Sequence, residues 1–178
     1  MMRRSDVWSN AVNKTRGLKD GLGMPIDFEI TPTVAILRLM GFRTTSSCAG
    51  HLRRITNGPY VIFVSPKARK YEIKLQQIGN YADPEYKTTA KKATRESVRE
   101  RQRLIAYLKT FYANRHKAYD QQLVVCPLGL SASQLYCLGV DRALIVGEKD
   151  RKILLEADRE EIRAFTEYLK TVYFSSDN

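Results

Sequence analysis

The sequence predicts an α+β (or α/β) fold, a single domain in which a central mixed sheet is flanked by helices, one of them long and basic. Three observations predict it. The length of 178 residues suits one domain. Short apolar, β-favouring segments occur between amphipathic helical ones. The hydrophobic fraction of 43% is too high for a disordered chain. Residues 1–22 are expected to form a loose basic arm, and residues 23–178 the domain.

The first half of the domain is predicted from its turn and cap residues. Thr31 suits a helix N-cap, Pro32 suits the first helical position, and Gly41 ends that helix. The segment 60–64 is apolar at both alternating sets of positions, which is typical of a central strand covered on both faces. We expect a helix over residues 31–41, strands over 42–47 and 60–64, a second helix over 68–78 and a loop over 81–89.

The second half is predicted to be mainly helical. Asp158 begins a capping box with Glu161, which favours a terminal helix from that point. Ser131 suits an N-cap, so residues 131–138 are interpreted as a helix, with a strand as the alternative. We expect a long helix over residues 90–119, a strand over 123–126, the short helix over 131–138, a hairpin over 142–155 and the terminal helix over 158–178.

The positive charge is concentrated on the long helix. The chain has 30 Lys and Arg against 19 Asp and Glu, a net charge of +11, which suggests an anionic partner. Between Lys87 and Lys117, ten basic residues stand against two glutamates, a net charge of +8. Five of them are three or four residues apart and share one helical face that can follow a phosphate backbone: Lys91, Lys92, Arg95, Arg99 and Arg103. The alternative is a solvated, partly neutralised helix face.

Cysteine content and hydropathy favour a cytoplasmic protein. Cys48, Cys126 and Cys137 are few, odd in number and without Cys-x-x-Cys spacing, which argues against a disulfide framework and a Cys-rich zinc site. No apolar segment is long enough to cross a bilayer, so no membrane association is expected. The chain also lacks a glycine-rich dinucleotide fingerprint, a P-loop and a His-Glu-x-x-His motif. The sequence therefore does not indicate Rossmann cofactor binding, nucleotide hydrolysis by a P-loop or zincin chemistry.

A row of small residues, 44–50, precedes His51 at the end of the first predicted strand. Small side chains and Gly50 let backbone N–H groups approach an anion, and the hydroxyls of Ser46 and Ser47 can donate to it. His51 can act as an acid or base near neutral pH. A nucleophilic Cys48 is not favoured, because two residues within one turn rarely present both side chains to one atom. No spaced partner is present for a Cys48 and His51 metal pair, so no metal site is predicted.

Three segments of the first half of the chain form a recognisable order of motifs: Gly23-Met-Pro-Ile-Asp27, Thr45-Ser-Ser-Cys-Ala-Gly-His51 and Tyr60-Val-Ile-Phe-Val-Ser65. Together they resemble the front half of the wybutosine-synthesis tRNA methyltransferase family. Uncharacterised bacterial and phage-type proteins with a Ser-Cys-x-Gly-His motif are more similar still. The resemblance implies S-adenosylmethionine as cofactor and a modified guanosine of tRNA as substrate. Two positions differ, since His51 stands where the tRNA enzymes have arginine and Pro66 where they have histidine.

The resemblance carries five residues into the candidate site, namely Asp27, Ser46, Ser47, Cys48 and Gly50. Together with the acid–base argument, Asp27 and His51 are the expected catalytic pair, and Ser46, Ser47, Cys48 and Gly50 the expected ligand-binding residues. The resulting hypothesis is an RNA-directed protein, with tRNA favoured, which binds or modifies its RNA. The alternatives are a non-catalytic binder of a small anionic ligand such as a signalling nucleotide, and a basic interaction module for nucleic acid or protein.

Overall fold

The computed structural model describes residues 3–20, 23–52 and 58–175, which form a four-stranded sheet with helices packed on one face. The predicted α+β domain with one long basic helix is confirmed, but every strand pair is antiparallel, so the sheet is not mixed. The helices are α1 (Arg4–Arg16), α2 (Thr31–Leu39), α3 (Pro66–Ile78), α4 (Pro84–Tyr112) and α5 (Glu148–Ser175). The strands are β1 (Arg43–Cys48), β2 (Tyr60–Val64), β3 (Leu123–Leu128) and β4 (Ala132–Cys137).

The sheet has the order β1-β2-β4-β3 and buries one face under α2, α4 and α5. Val61 and Phe63 of β2 and Leu135 of β4 are at most 1% exposed, as the period of two along a strand requires. The helices add Leu104 and Phe165 to this core, both fully buried. The opposite face of the sheet is only half-buried and contributes no residue to the core.

Helix α4 is much longer than the part of it that contacts the core. Its second half inserts Leu104, Leu108 and Phe111 into the core, whereas its first half packs against α3. Ala93 and Ser97 are buried in that second contact, and their small side chains let the two helices approach closely. The first half of α4 and all of α3 therefore form a helical hairpin outside the core.

Two hydrogen bonds fix where this hairpin leaves the sheet. Near the end of α4, the Tyr112 hydroxyl accepts the N–H of Leu123 at 2.8 Å, at the first residue of β3. Earlier in the same helix, Arg103 donates to the carbonyl of Met40 at 3.0 Å, close to the start of β1. Residues 84–102 accordingly continue beyond the end of the sheet where β1 begins and β2 ends.

Three predicted elements differ in the structure, one near the start of the chain and two in its last third. Residues 4–16 form α1 instead of a loose arm, because Trp8 packs against the core and Thr15 is buried. Residues 132–137 form β4 instead of a helix: Leu135 and Cys137 alternate with half-buried neighbours. The hairpin predicted over residues 142–155 is also wrong, since α5 already begins at Glu148.

The boundaries of α4 also differ from the prediction. The helix begins at Pro84, inside the segment predicted as a loop, because Asp83 caps it by accepting the N–H of Glu85 at 2.7 Å. It ends at Tyr112, several residues before the predicted end at residue 119. Helix α3 begins at Pro66, two residues before its predicted start, with Ser65 as N-cap, and it ends as predicted, with Gly79 in the left-handed conformation.

The early start of α5 places Asp158 inside a helix, where it is 7% exposed, instead of at a cap. Burial raises the pKa of this carboxyl, although Cys137 and Arg142 act in the opposite direction. A carboxyl whose pKa is higher in the folded than in the unfolded state stabilises the fold below its unfolded pKa. That contribution is lost as the pH rises through the folded pKa.

Asp158→Asn should therefore gain stability relative to the wild type as the pH rises from the acid range to neutrality, since the amide keeps the shape without the buried charge. Urea unfolding of both proteins across that pH range measures the difference in the free energy of unfolding. Glu160→Gln, an exposed change on the same helix, is the control for the loss of one carboxylate without burial. A difference between Asp158→Asn and the wild type that stays constant across the pH range would contradict the assignment.

Candidate functional site

Asp27, Cys48 and His51 converge at the end of β1. Asp27 precedes the short 3-10 turn Phe28–Ile30, Cys48 is the last residue of β1, and His51 follows it by three residues. His51 Nε2 lies 3.4 Å from Asp27 Oδ2. One donor atom from each of the three side chains lies within 4.8 Å of the other two. The structure thus brings together both expected catalytic residues and one expected ligand-binding residue.

The turn after β1 explains why Cys48 and His51 point to the same place. Gly50 has a φ of +82°, a left-handed conformation that glycine adopts without strain and that reverses the chain. The N–H of Ala49 donates to Asp27 Oδ2 at 2.9 Å, and the N–H of Gly50 donates to Cys48 Sγ at 3.4 Å. As a result, the Cys48 sulfur and a ring nitrogen of His51 lie within 4.8 Å of each other, closer than expected for two residues of one turn.

Arg159 of α5 holds this turn in place. Its Nε donates to the carbonyl of Ala49 at 3.0 Å, and its Nη2 donates to the carbonyl of Gly50 at 2.9 Å. Arg159 is not among the residues predicted for the site, because the predicted terminal helix begins only one residue earlier and offers no reason to orient this side chain toward the turn. The backbone carbonyls that it binds carry no sequence signal.

A cleft of about 420 Å³ opens beside His51. Lys152 and Arg159 bring positive charge to its wall on the α5 side. Glu156 also lines it, but the Arg163 guanidinium, hydrogen-bonded at 2.6 Å, lowers the pKa of that carboxyl, and Arg159 lies 3.6 Å away. Because Glu156 is already ion-paired, it is a poor proton acceptor. The acid–base group at this cleft is therefore His51, with Asp27 beside it.

Ser46 and Ser47 line a different recess. This recess lies between β1, α2 and the segment before α2, includes Arg38 and Lys19 in its wall, and has a volume of only about 70 Å³. The Ser47 hydroxyl oxygen is buried and makes no hydrogen bond within the residues described. The structure thus separates the two serines from the cleft at His51, while Gly50 lines that cleft.

The predicted basic face of α4 is present and exposed. Lys91, Lys92, Arg95 and Arg99 lie on the outer side of the helical hairpin, opposite the buried Ala93 and Ser97. Of these four, only Arg99 has an ion pair within the described part of the chain, with Glu96 at 3.7 Å. We call these four residues the α4 basic face.

Arg103, the fifth residue predicted for this face, has another role. It donates to the Met40 carbonyl and to Glu100, each at 3.0 Å, and its guanidinium lies 4.7 Å from the centre of the Phe42 ring. These contacts attach α4 to the body of the domain. Arg103 is therefore a structural residue that has little capacity left for a phosphate.

The cleft and the α4 basic face lie at opposite ends of the sheet. Cys48 pairs with Tyr60 at one end of the β1-β2 hairpin, and Arg43 pairs with Val64 at the other, where the helical hairpin begins. The cleft is separated from Arg95 by the length of β1 and by the rise of α4 from Arg103 to Arg95. These two lengths add up to roughly 30 Å.

Comparisons with models of protein families, with curated proteins and with solved structures find no match to this chain. The resemblance to the wybutosine-synthesis family accordingly rests on the motif residues quoted above. Among the described residues, none of the helices combines the length and the apolar character that crossing a membrane requires.

Proposed function

We propose that this protein is RNA-directed: it holds the phosphate backbone of an RNA, with tRNA favoured, on the α4 basic face and presents part of that RNA to the Asp27–His51 site. The observation that carries the proposal is the α4 basic face, four exposed cations on a helix that leaves the core. Such a cation row neutralises phosphates without reading sequence.

The separation of the two sites supports a long polyanion as the ligand. A mononucleotide bound at His51 does not extend across roughly 30 Å to the α4 basic face. A folded RNA spans that distance easily, and its backbone supplies phosphates along the way. The same geometry favours a division of tasks, in which α4 binds the RNA backbone and the site at Asp27 and His51 acts on the part of the RNA that reaches it.

A second candidate function, binding of a small anionic ligand such as a nucleotide, is favoured by the cleft alone. Its volume of about 420 Å³ falls within the usual range for small-molecule sites, about 300–1,000 Å³. Lys152 and Arg159 supply positive charge there, and His51 supplies a further hydrogen-bond donor. Under this function, substitutions in the α4 basic face leave ligand binding unchanged.

S-adenosylmethionine, the cofactor that the resemblance implies, does not fit where the motif predicts it. The recess at Ser46 and Ser47 measures about 70 Å³, well below the usual range of a small-molecule pocket, which starts near 300 Å³. The cleft beside His51 has the volume, but its one carboxylate, Glu156, is paired with Arg163 and Arg159. The proposed function therefore includes no methyl-transfer step. Calorimetry of the protein with S-adenosylmethionine tests whether the cleft beside His51 binds this cofactor.

Filter binding of labelled tRNA over a series of salt concentrations tests the proposal. If the four side chains of the α4 basic face each neutralise one phosphate, the logarithm of the binding constant should fall against log salt with a slope of about −3 or steeper. Unlabelled duplex DNA is the competitor control. Absence of retention at low salt would contradict the proposal, and so would displacement of tRNA by an equal mass of duplex DNA.

A further inference from the structure

We propose that Asp27, Cys48 and His51 bind a single zinc ion with three protein ligands and one open position. The proposal does not depend on RNA binding. It rests on the donor set, on the distances between the donor atoms and on the groups that orient them. Spacing along the chain does not predict this third ligand, because Asp27 lies far from Cys48 and His51 in the sequence.

The donor set selects zinc among the common divalent ions. A thiolate sulfur, an imidazole nitrogen and a carboxylate oxygen are the three ligand types that zinc uses in proteins. Magnesium and calcium require sites built of oxygen ligands, and a cysteine is unsuited to both. Within the described residues, no other group of three such side chains comes together in this way.

The distances match ligands arranged around one ion. Asp27 Oδ2 and His51 Nε2 are 3.4 Å apart, slightly too long for an ordinary hydrogen bond. Two ligands that each lie about 2.0–2.1 Å from a tetrahedral zinc ion are about 3.3–3.4 Å from each other. Cys48 Sγ lies within 4.8 Å of both, and the S···N and S···O separations in a tetrahedral zinc site are about 3.6 Å, so zinc binding requires the sulfur to approach by up to about 1 Å.

The surroundings orient two of the three ligands. The N–H of Ala49 fixes the Asp27 carboxylate, and the N–H of Gly50 points at the Cys48 sulfur. Arg159 holds the carbonyls of the same two residues, so the turn is fixed from both sides. Hydrogen bonds to ligand atoms are the usual means by which a protein orients the first ligands of a metal.

The fourth position would open toward the cleft. Cys48 is only 3% exposed, whereas the side chains of Asp27 and His51 are 32% and 44% exposed. The open side is therefore the exposed side of Asp27 and His51, and His51 also lines the cleft together with Lys152 and Arg159. Three protein ligands with a fourth position left to water is the arrangement of catalytic zinc sites.

The test uses the full-length protein and two metals. Zinc bound to the purified chain is quantified by mass spectrometry after equilibration with zinc and buffer exchange, and the metal-free protein is titrated with cobalt(II). We expect one zinc per chain, together with a thiolate-to-cobalt charge-transfer band and the strong visible bands of tetrahedral cobalt. Cys126→Ser is the matched control: Cys126 is half-buried, lies outside the cluster and should leave every signal unchanged.

Three variants separate the proposal from general misfolding. Cys48→Ser should remove the charge-transfer band. His51→Ala and Asp27→Asn should each weaken zinc binding by at least 10-fold, since replacing even a residue that only hydrogen-bonds to a metal ligand lowers metal affinity by about 10–100-fold. His51 is exposed, so its replacement should leave the circular dichroism spectrum intact. Zinc well below one per chain in the wild type would overturn the proposal, as would a charge-transfer band that survives in Cys48→Ser.

Discussion

Replacing the four residues of the α4 basic face by alanine should reduce tRNA affinity by about 10²–10³-fold near 0.1 M salt and reduce the salt slope by about 3. The reason is that Lys91, Lys92, Arg95 and Arg99 contribute charge to an exposed surface and nothing to the core. Alanine is also the best helix former, so α4 should remain folded. Filter binding of variant and wild type over the same salt series gives both quantities.

The control is a variant with the same loss of charge at scattered positions. Lys14, Lys19, Lys109 and Lys149 are exposed and belong to four different segments of the chain. Their joint replacement by alanine should lower the affinity only slightly, through the weaker overall attraction. Equal losses in the two variants would show that net charge alone drives binding, and the α4 basic face would then have no special role.

Phe165→Ala should destabilise the fold by about 3–5 kcal/mol. Phe165 is fully buried, and its ring contacts that of Phe111 edge to face at a centroid distance of 5.2 Å. Its removal therefore leaves a cavity where α4 and α5 meet on the sheet. Urea unfolding monitored by circular dichroism measures the loss.

Ile153→Ala on the same helix is the control for this loss. Ile153 is 60% exposed, and its truncation should change the free energy of unfolding by less than about 0.5 kcal/mol. A comparable loss at Ile153 would mean that this side chain is buried, as in the hairpin that the sequence suggested. A loss below 1 kcal/mol at Phe165 would contradict the packing of α5.

The elements that sequence reasoning missed are those whose signals were ambiguous at short range. In β4, Ser133 occupies a buried position, so the alternation of polar and apolar residues that indicates a strand was hidden. At the start of α5, Gly147 and Asp150 have the residue types of a turn, so the segments on either side of them are interpreted as the two strands of a hairpin. The stripe from Ile162 to Leu169 carried an unambiguous helical period and was predicted correctly.

The candidate site was predictable only in part for a different reason. The motif residues identified Asp27, Cys48, Gly50 and His51, but their convergence depends on the left-handed φ of Gly50 and on how the segment before α2 packs against β1. Spacing along the chain contains neither. Arg159 binds backbone carbonyls, so its role depends on tertiary structure alone.

The long helix shows what charge patterning can and cannot predict. The periodic basic residues correctly predicted one exposed helical face. Arg103 continues the same period, yet it binds the Met40 carbonyl, because α4 changes partner from α3 to the core near that residue. A period of charges along a helix does not reveal where the helix meets another element.

Crosslinking of the full-length protein to tRNA, followed by mass spectrometry of the crosslinked peptides, tests the central claim most directly. If α4 holds the backbone while the RNA reaches the cleft, crosslinks should occur in the same complex at Lys91 and Lys92 and at Lys152 beside His51. Free nucleotide should compete only for the crosslink at Lys152. Crosslinks confined to α1 and the end of α5, with none on α4, would contradict the account.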